Sequence, residues 1–154
     1  MAEPLAGILS PQLVQEFSTD YVKEIVDAVQ NQSFIVIYHN CGTNALLLID
    51  SILETGCRAF HFGDCINMAD MMPHIPANCI AMGNISPSKI FFNGTPEKMR
   101  IETTRLLETT KQFPNFLISS GCDIPPLTDM DNIASFFKTI DTFYYKQYLL
   151  DLLI

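Results

Sequence analysis

The sequence predicts an α/β fold built from repeated β/α units around a parallel sheet. Four short runs rich in β-branched and aromatic residues predict strands at 33–38, 58–62, 79–82 and 116–119. Between these runs the apolar residues recur at helical spacing, so strands and helices alternate along the chain. Because neighbouring parallel strands require a crossover connection, this order predicts helices packed outside the sheet.

The helical segments carry recognisable start and stop signals. Ser10 followed by Pro11 is typical of a helix start, and Gly56 is typical of a helix end. Helices are predicted over 11–30, 45–54, 67–72 and 95–112, and from about 130 through 143.

The composition indicates a single globular domain over residues 1–154. It is 48% hydrophobic and 17% charged, which supplies ample material for one core. The net charge is −8 and no cluster of Lys and Arg occurs, which argues against nucleic acid and anionic membranes as partners. No apolar run approaches the roughly 18 residues that a bilayer span requires.

The cysteines indicate a reducing compartment. There are five of them, an odd number without the regular spacing of a disulfide-rich secreted domain, so we expect a cytoplasmic protein. Cys57, Cys65 and Cys79 lie in or beside apolar stretches and are predicted to be buried thiols without a chemical role.

Three other side chains predict a metal site. His39 and Cys41 follow the first predicted strand, and alternate residues of an extended chain point to the same side. Cys122 comes just after the fourth predicted strand, so all three lie at the carboxyl edge of the sheet. A histidine and two cysteines are zinc ligands, and three protein ligands with an open fourth position are typical of a catalytic site. The alternative is a hydrogen-bonded core histidine beside ordinary buried cysteines.

The ligand types favour thiol chemistry. Two thiolates make zinc a weak Lewis acid for water but a good holder of a nucleophilic thiolate, so hydrolysis is disfavoured.

The same motifs resemble a known family, the uroporphyrinogen decarboxylase superfamily, and within it the corrinoid-dependent methyltransferase branch. The motifs that carry the resemblance occur in the family's order and spacing: His39-Asn40-Cys41-Gly42, Gly83-Asn84-Ile85-Ser86-Pro87, Gly94-Thr95-Pro96-Glu97 and Gly121-Cys122-Asp123-Ile124-Pro125-Pro126. In that branch a His-x-Cys and a distant Cys bind zinc, and His39, Cys41 and Cys122 occupy those places. The resemblance implies methyl transfer from a methylated corrinoid (cobalamin), carried by a partner corrinoid protein, to a small-molecule thiol.

The resemblance leaves two alternatives open. One is a decarboxylase acting on a tetrapyrrole carboxylate, which would need cationic side chains that are few here. The other is a non-catalytic truncated half-barrel or interaction subunit.

Two further residues are candidates for catalytic roles. Asp64 follows the second predicted strand and is a candidate fourth zinc ligand or orienting group for His39, although Asp after Gly is also an ordinary helix cap. Asn84 ends the third predicted strand and is a candidate to present its amide to substrate, an assignment that rests on the family likeness. His61 is interpreted as a core or interface histidine.

The resembled fold is a TIM-type (β/α)8 barrel of about 200 residues or more, and this chain matches its C-terminal half with about four βα units. The N-terminal half of the family barrel is absent from the 154 residues. Four strands cut from a barrel expose two sheet edges, so we expect a homo-oligomer or a complementary half-barrel chain as partner. The apolar segment 143–154 supports that expectation.

Overall fold

The computed structural model describes residues 1–3 and 5–152, and it confirms the predicted α/β architecture. Four strands form one sheet in the order β1-β2-β3-β4, and every neighbouring pair is parallel. The strands are β1 (Ile37–Asn40), β2 (Ala59–Phe62), β3 (Ile80–Ile85) and β4 (Phe116–Ser120).

Helices connect the strands, as parallel pairing requires. The first, α1, runs over 11–29 as Pro11–Val14, a π-helical turn Gln15–Thr19, and Asp20–Val29. The others are α2 (Ile49–Glu54), α3 (Met68–Met71), α4 (Pro96–Thr110) and α5 (Met130–Asp151), with short helical turns at Ala6–Ile8, Met72–His74 and Pro87–Phe92. The predicted cap of α1 is confirmed, since the Ser10 hydroxyl accepts a hydrogen bond from the Leu13 amide at 3.3 Å.

The first strand begins later than the apolar run predicts. Residues 33–36 lie outside β1, because a turn at Asn31 precedes the strand and the Asn31 side chain accepts from the Ser33 amide at 2.8 Å. Phe34 and Ile35 are 56% and 40% exposed, so this part of the run is not core. The correction places His39 inside β1 and Cys41 immediately after it.

The helix after β1 is also shorter than predicted. It begins at Ile49, and residues 43–48 form turns in place of the predicted helical start at 45. Strand β3 continues to Ile85 and β4 to Ser120, beyond the predicted ends at 82 and 119.

The core lies between one face of the sheet and the helices. Alternate strand residues point to this face and are almost fully buried, and they include Tyr38, Phe60, Phe62, Ala81 and Ile118. Helices α4 and α5 pack against each other on this side, and the Phe91 and Phe136 rings meet at a centroid distance of 5.2 Å. The sheet is therefore buried on the face that the helices cover.

The opposite face of the sheet carries apolar side chains that residues 1–3 and 5–152 leave partly exposed. Ile37 and Ile80 are each 39% exposed and Leu117 is 52% exposed. In a closed β/α barrel this face forms the packed interior. Half-exposed His39 and His61 also lie on this face, so the uncovered surface and the candidate site are continuous.

A row of large apolar residues on α1 is exposed as well. They are spaced four apart along the helix: Leu13, Phe17, Tyr21, Ile25 and Val29. Residues at that spacing lie on one helix face, and a surface helix normally buries such a stripe. The first helix thus has a flank that none of the described residues covers.

The long C-terminal helix exposes aromatic side chains. Tyr144, Tyr145 and Tyr148 are all more than half exposed. Leu153 and Ile154, the end of the predicted apolar segment, lie outside the described residues. Within the described part of the chain, no helix combines the length and apolar character needed to cross a bilayer.

Replacing Phe62 with alanine should test where the core lies. Phe62 is 0% exposed, so Phe62→Ala should lower the free energy of unfolding by about 3–5 kcal/mol through lost burial and a cavity. The matched control is Phe34→Ala, which should lower it by less than about 1 kcal/mol because Phe34 is largely exposed. Equilibrium urea unfolding measures both, and equal losses would contradict this assignment of the core.

Candidate metal centre

The candidate site lies where three strands reach their carboxyl ends. His39 is the third residue of β1 and stands in register with His61 of β2. Cys41 follows β1, and Cys122 is the second residue after β4. Because all strands are parallel, these ends meet at one edge of the sheet, which is the edge where β/α barrels build active sites.

The central contact joins His39 and Cys122. The Nε2 atom of His39 lies 3.6 Å from the Cys122 Sγ, across 83 positions of sequence. The other ring nitrogen, Nδ1, lies 3.1 Å from the His61 carbonyl oxygen. A carbonyl only accepts, so Nδ1 carries the proton and the Nε2 lone pair faces the sulfur. The structure thus presents a metal-binding tautomer of His39 to a cysteine.

The His39 imidazole is held in its neutral form. Burial is the main cause that lowers its pKa below the ordinary value, and the neighbouring His61 ring lowers it further. The His61 carbonyl and the Asp123 carboxylate act in the opposite direction with smaller effect. A neutral imidazole at neutral pH is the form that binds metal ions.

The spacing of these two donors suits zinc. With Zn–N near 2.0–2.1 Å, Zn–S near 2.3 Å and tetrahedral geometry, the nitrogen and sulfur should stand about 3.6 Å apart. That separation is the one found between His39 Nε2 and Cys122 Sγ. The tautomer-fixing bond from Nδ1 to a backbone carbonyl is also the usual outer-shell support of a metal-bound histidine.

Cys41 does not join this pair in the structure. It is exposed, and in the part of the chain described, no group of three or more His, Cys, Asp or Glu side chains is arranged to hold a metal. The structure therefore brings together two of the three predicted donors and places the third on the adjoining loop.

Two glycines allow the loops around the site to approach closely. A Cβ at Gly63 would meet the Cys41 Cα at 2.7 Å, and a Cβ at Gly121 would meet the Asp64 amide nitrogen at 2.5 Å. Both distances are shorter than real contacts, so any side chain would force the backbones apart. Gly121 directly precedes Cys122, so this close packing sets the depth of the sulfur in the site.

Asn84 has a structural task that limits its predicted role. Its Nδ2 donates to the carbonyl oxygens of Gly63 at 2.9 Å and Ile66 at 2.6 Å. Both amide protons are therefore used to hold the loop after β2, which carries Asp64. The carbonyl oxygen is the polar atom of the side chain that remains for other contacts.

Asp64 is exposed beside a cavity of about 460 Å³. Asn84, Lys89 and Arg105 also line this cavity, which opens between the loops after β2 and β3 and helix α4. Asp64 therefore contacts Gly121, in the loop that carries Cys122. Its other side is open to incoming molecules.

Among the remaining cysteines, the prediction of burial is correct for one and wrong for another. Cys57 is 2% exposed, and burial raises the pKa of its thiol. Cys65 is exposed, because it lies in the turn after Asp64 and not within an apolar strand, and its Sγ donates to the Cys41 carbonyl at 3.3 Å. Cys79 is partly buried.

His61 is the site residue that the sequence interpretation missed. Its ring lies over that of His39 with centroids 4.6 Å apart, and its Nε2 lies 2.7 Å from the Ser120 carbonyl oxygen. The available signal was positional, since His39 and His61 are each the third residue of parallel strands and so face the same side.

Comparison with known proteins identifies the family. The family model described as uroporphyrinogen decarboxylase (URO-D) matches residues 1–143. A uroporphyrinogen decarboxylase from Pseudoalteromonas translucida is 28% identical over 145 residues, covering 91% of this chain and 40% of that protein. A methylcobamide:CoM methyltransferase, MtbA, from Methanosarcina mazei is 24% identical over 140 residues, covering 90% and 39% respectively. This chain thus spans about two fifths of the length of these relatives.

A solved structure supports the fold. A methyltransferase from Methanosarcina mazei superposes with a TM-score of 0.80 at 21% identity, covering 94% of this chain and 41% of that one. The β/α architecture seen here is therefore part of the fold of that protein. Together with the match over residues 1–143, this shows that the chain belongs to the uroporphyrinogen decarboxylase (URO-D) family.

Proposed function

We propose that this chain is the zinc-bearing part of an enzyme that transfers a methyl group from a methylated corrinoid to a small-molecule thiol. The observation that carries the proposal is the 3.6 Å approach of His39 Nε2 to Cys122 Sγ, with Nε2 free of its proton. The relatives named methylcobamide:CoM methyltransferases support the choice of reaction.

In this proposal His39, Cys122 and Cys41 hold the metal. Cys41 is exposed two residues beyond His39, and the proposal requires its side chain to turn towards the other two donors. Bound zinc would lower the pKa of the acceptor thiol, so that the nucleophilic thiolate is present at neutral pH. Asp64 is the proposed fourth protein contact, and its exposed carboxylate leaves that position exchangeable.

The chain's other residues act on position and access. The His61 carbonyl keeps the His39 lone pair directed at the site, and the Asn84 amide fixes the loop that carries Asp64. The carboxyl edge of the sheet is the proposed docking side of a corrinoid protein, since the donors are reached from there.

The decarboxylase alternative is favoured by the relatives of that name but not by the charges at this edge. A substrate with several carboxylates requires clustered cations. Arg58 donates to the Asn31 carbonyl at 3.0 Å, at the opposite end of β2, and Arg100 pairs with Glu97 on the outer surface of α4. Lys89 and Arg105 line the cavity beside Asp64, and Arg105 is paired with Glu102.

Zinc binding should depend on the paired donors. The purified chain should bind one zinc ion per molecule, and His39→Ala or Cys122→Ser should remove it, because each deletes one of the two donors already in place. Cys79→Ser is the matched control and should keep the metal, since Cys79 lies away from this edge. Elemental analysis after dialysis measures the stoichiometry, and zinc retained by both donor variants would contradict the assignment.

Methyl transfer should be separable from decarboxylation. With methylcobalamin and CoM as probes, the chain should form the methylated thiol, and Cys122→Ser should reduce the rate by at least about 100-fold. Uroporphyrinogen should not be consumed. Mass spectrometry of the products distinguishes the two reactions. Metal-independent carbon dioxide release from uroporphyrinogen would favour the decarboxylase alternative. If neither reaction occurs, the hypothesis of a non-catalytic half-barrel is supported.

The exposed apolar row of α1 is proposed to pack against a second copy of the chain or a complementary half-barrel chain. Sedimentation should show concentration-dependent association of the chain alone, and Phe17→Glu should weaken it because a charge then stands in the row. Lys23→Glu introduces the same side chain at an exposed position off the row, so it is the control and should change little. A chain that stays monomeric at every concentration would exclude the second copy.

A further inference from the structure

His61 contacts β1, which carries His39, and β4, which ends two residues before Cys122. Its backbone oxygen accepts from His39 Nδ1 at 3.1 Å, and its ring Nε2 lies 2.7 Å from the Ser120 carbonyl oxygen. Ser120 is two residues before Cys122. One residue of β2 therefore touches His39 of β1 and the last residue of β4, which lies two positions before Cys122.

The contact with β4 is not part of the sheet ladder. In the order β1-β2-β3-β4, strand β3 lies between β2 and β4, so the His61 side chain crosses β3 on the uncovered face to reach Ser120. The chain between His61 and Ser120 spans 59 positions. This link adds a direct connection that backbone pairing between neighbouring strands cannot supply.

The protonation of His61 follows from its partners. A carbonyl oxygen only accepts, so His61 Nε2 carries a proton and donates it to Ser120, with the Ser119 hydroxyl oxygen as a second acceptor at 3.2 Å. The Ser119 hydroxyl itself donates to the Ser120 carbonyl at 3.0 Å. Removing the imidazole therefore leaves the Ser120 oxygen with a partner, and the Gly121 amide still pairs with the Ile85 carbonyl at 2.8 Å.

We propose that His61 is a positioning residue that sets the separation of His39 Nε2 and Cys122 Sγ by bridging β1 and β4. The proposal rests on the proposed function for its consequence, since a fixed separation matters only if the two donors share a ligand. Its ring stack on His39, with centroids at 4.6 Å, is a second restraint on the orientation of that imidazole. Outer-shell residues of this kind tune metal affinity without touching the metal.

The variants separate the hydrogen bond from the ring. His61→Phe keeps the stacking surface but loses the donor to Ser120, and His61→Gln restores an N–H of similar reach. His74→Phe is the matched control, because it removes an exposed imidazole from another part of the chain. If His61→Phe fails to fold by circular dichroism, His61→Asn takes its place, since its shorter amide stays polar but does not reach Ser120.

Two measurements test the role. Zinc affinity is measured by competition with a chromophoric chelator, and the alkylation rate of Cys122 relative to Cys41 is measured by peptide mass in metal-free protein. We expect His61→Phe to weaken zinc binding by about 10- to 100-fold and to speed alkylation of Cys122 relative to Cys41. His61→Gln should reverse most of both changes, and His74→Phe should match the unmodified chain.

The outcomes distinguish this proposal from the proposed function. Wild-type affinity in His61→Phe, with zinc bound, would overturn the positioning role and leave the metal site standing. A wild-type chain that binds no zinc would overturn the proposed function. The positioning role of His61 is then tested by the alkylation rate of Cys122 relative to Cys41 alone. An unchanged ratio in His61→Phe would overturn the bridge, whereas a raised ratio that His61→Gln reverses would support it.

Discussion

One carbonyl oxygen governs the chemistry available at the carboxyl edge of this sheet. The backbone oxygen of His61 accepts the Nδ1 proton of His39, and this fixes the nitrogen that faces Cys122. The bond exists because β1 and β2 are parallel and in register, with His39 opposite His61. A shift of one residue in that register would turn the His39 ring to the helix-covered face and separate it from the sulfur.

The family assignment and the exposed surfaces of this chain agree with each other. The chain matches the uroporphyrinogen decarboxylase (URO-D) model over 1–143 while spanning about two fifths of its relatives. The face that a closed barrel would bury carries Ile37, Ile80 and Leu117 in the open. The donors stand on or beside that face, so whatever packs there also determines how dry the site is, and a dry site strengthens every electrostatic interaction within it.

The sequence predicted the larger features well because they depend on local patterns. Strand and helix alternation, the cap of α1, and the convergence of His39 and Cys122 all follow from local sequence signals and from the shared carboxyl edge. The start of β1 was misplaced because Phe34 and Ile35 are apolar but lie in an exposed approach to the strand. Exposure of Cys65 depends on a turn, and the bridge from His61 to Ser120 crosses an intervening strand. The turn follows Gly63-Asp64 and so has a local signal, whereas the bridge leaves no local pattern because it depends on how distant segments meet.

The two close-packed glycines have a consequence for comparing proteins of this kind. Gly63 and Gly121 lie against Cys41 and Asp64 with no space for even a methyl group. A larger residue at either position would force these loops apart, and in the proposed zinc site that would move Cys41 or Cys122 relative to His39. These two spacer positions therefore belong beside the three proposed ligands when relatives are compared for the capacity to bind zinc.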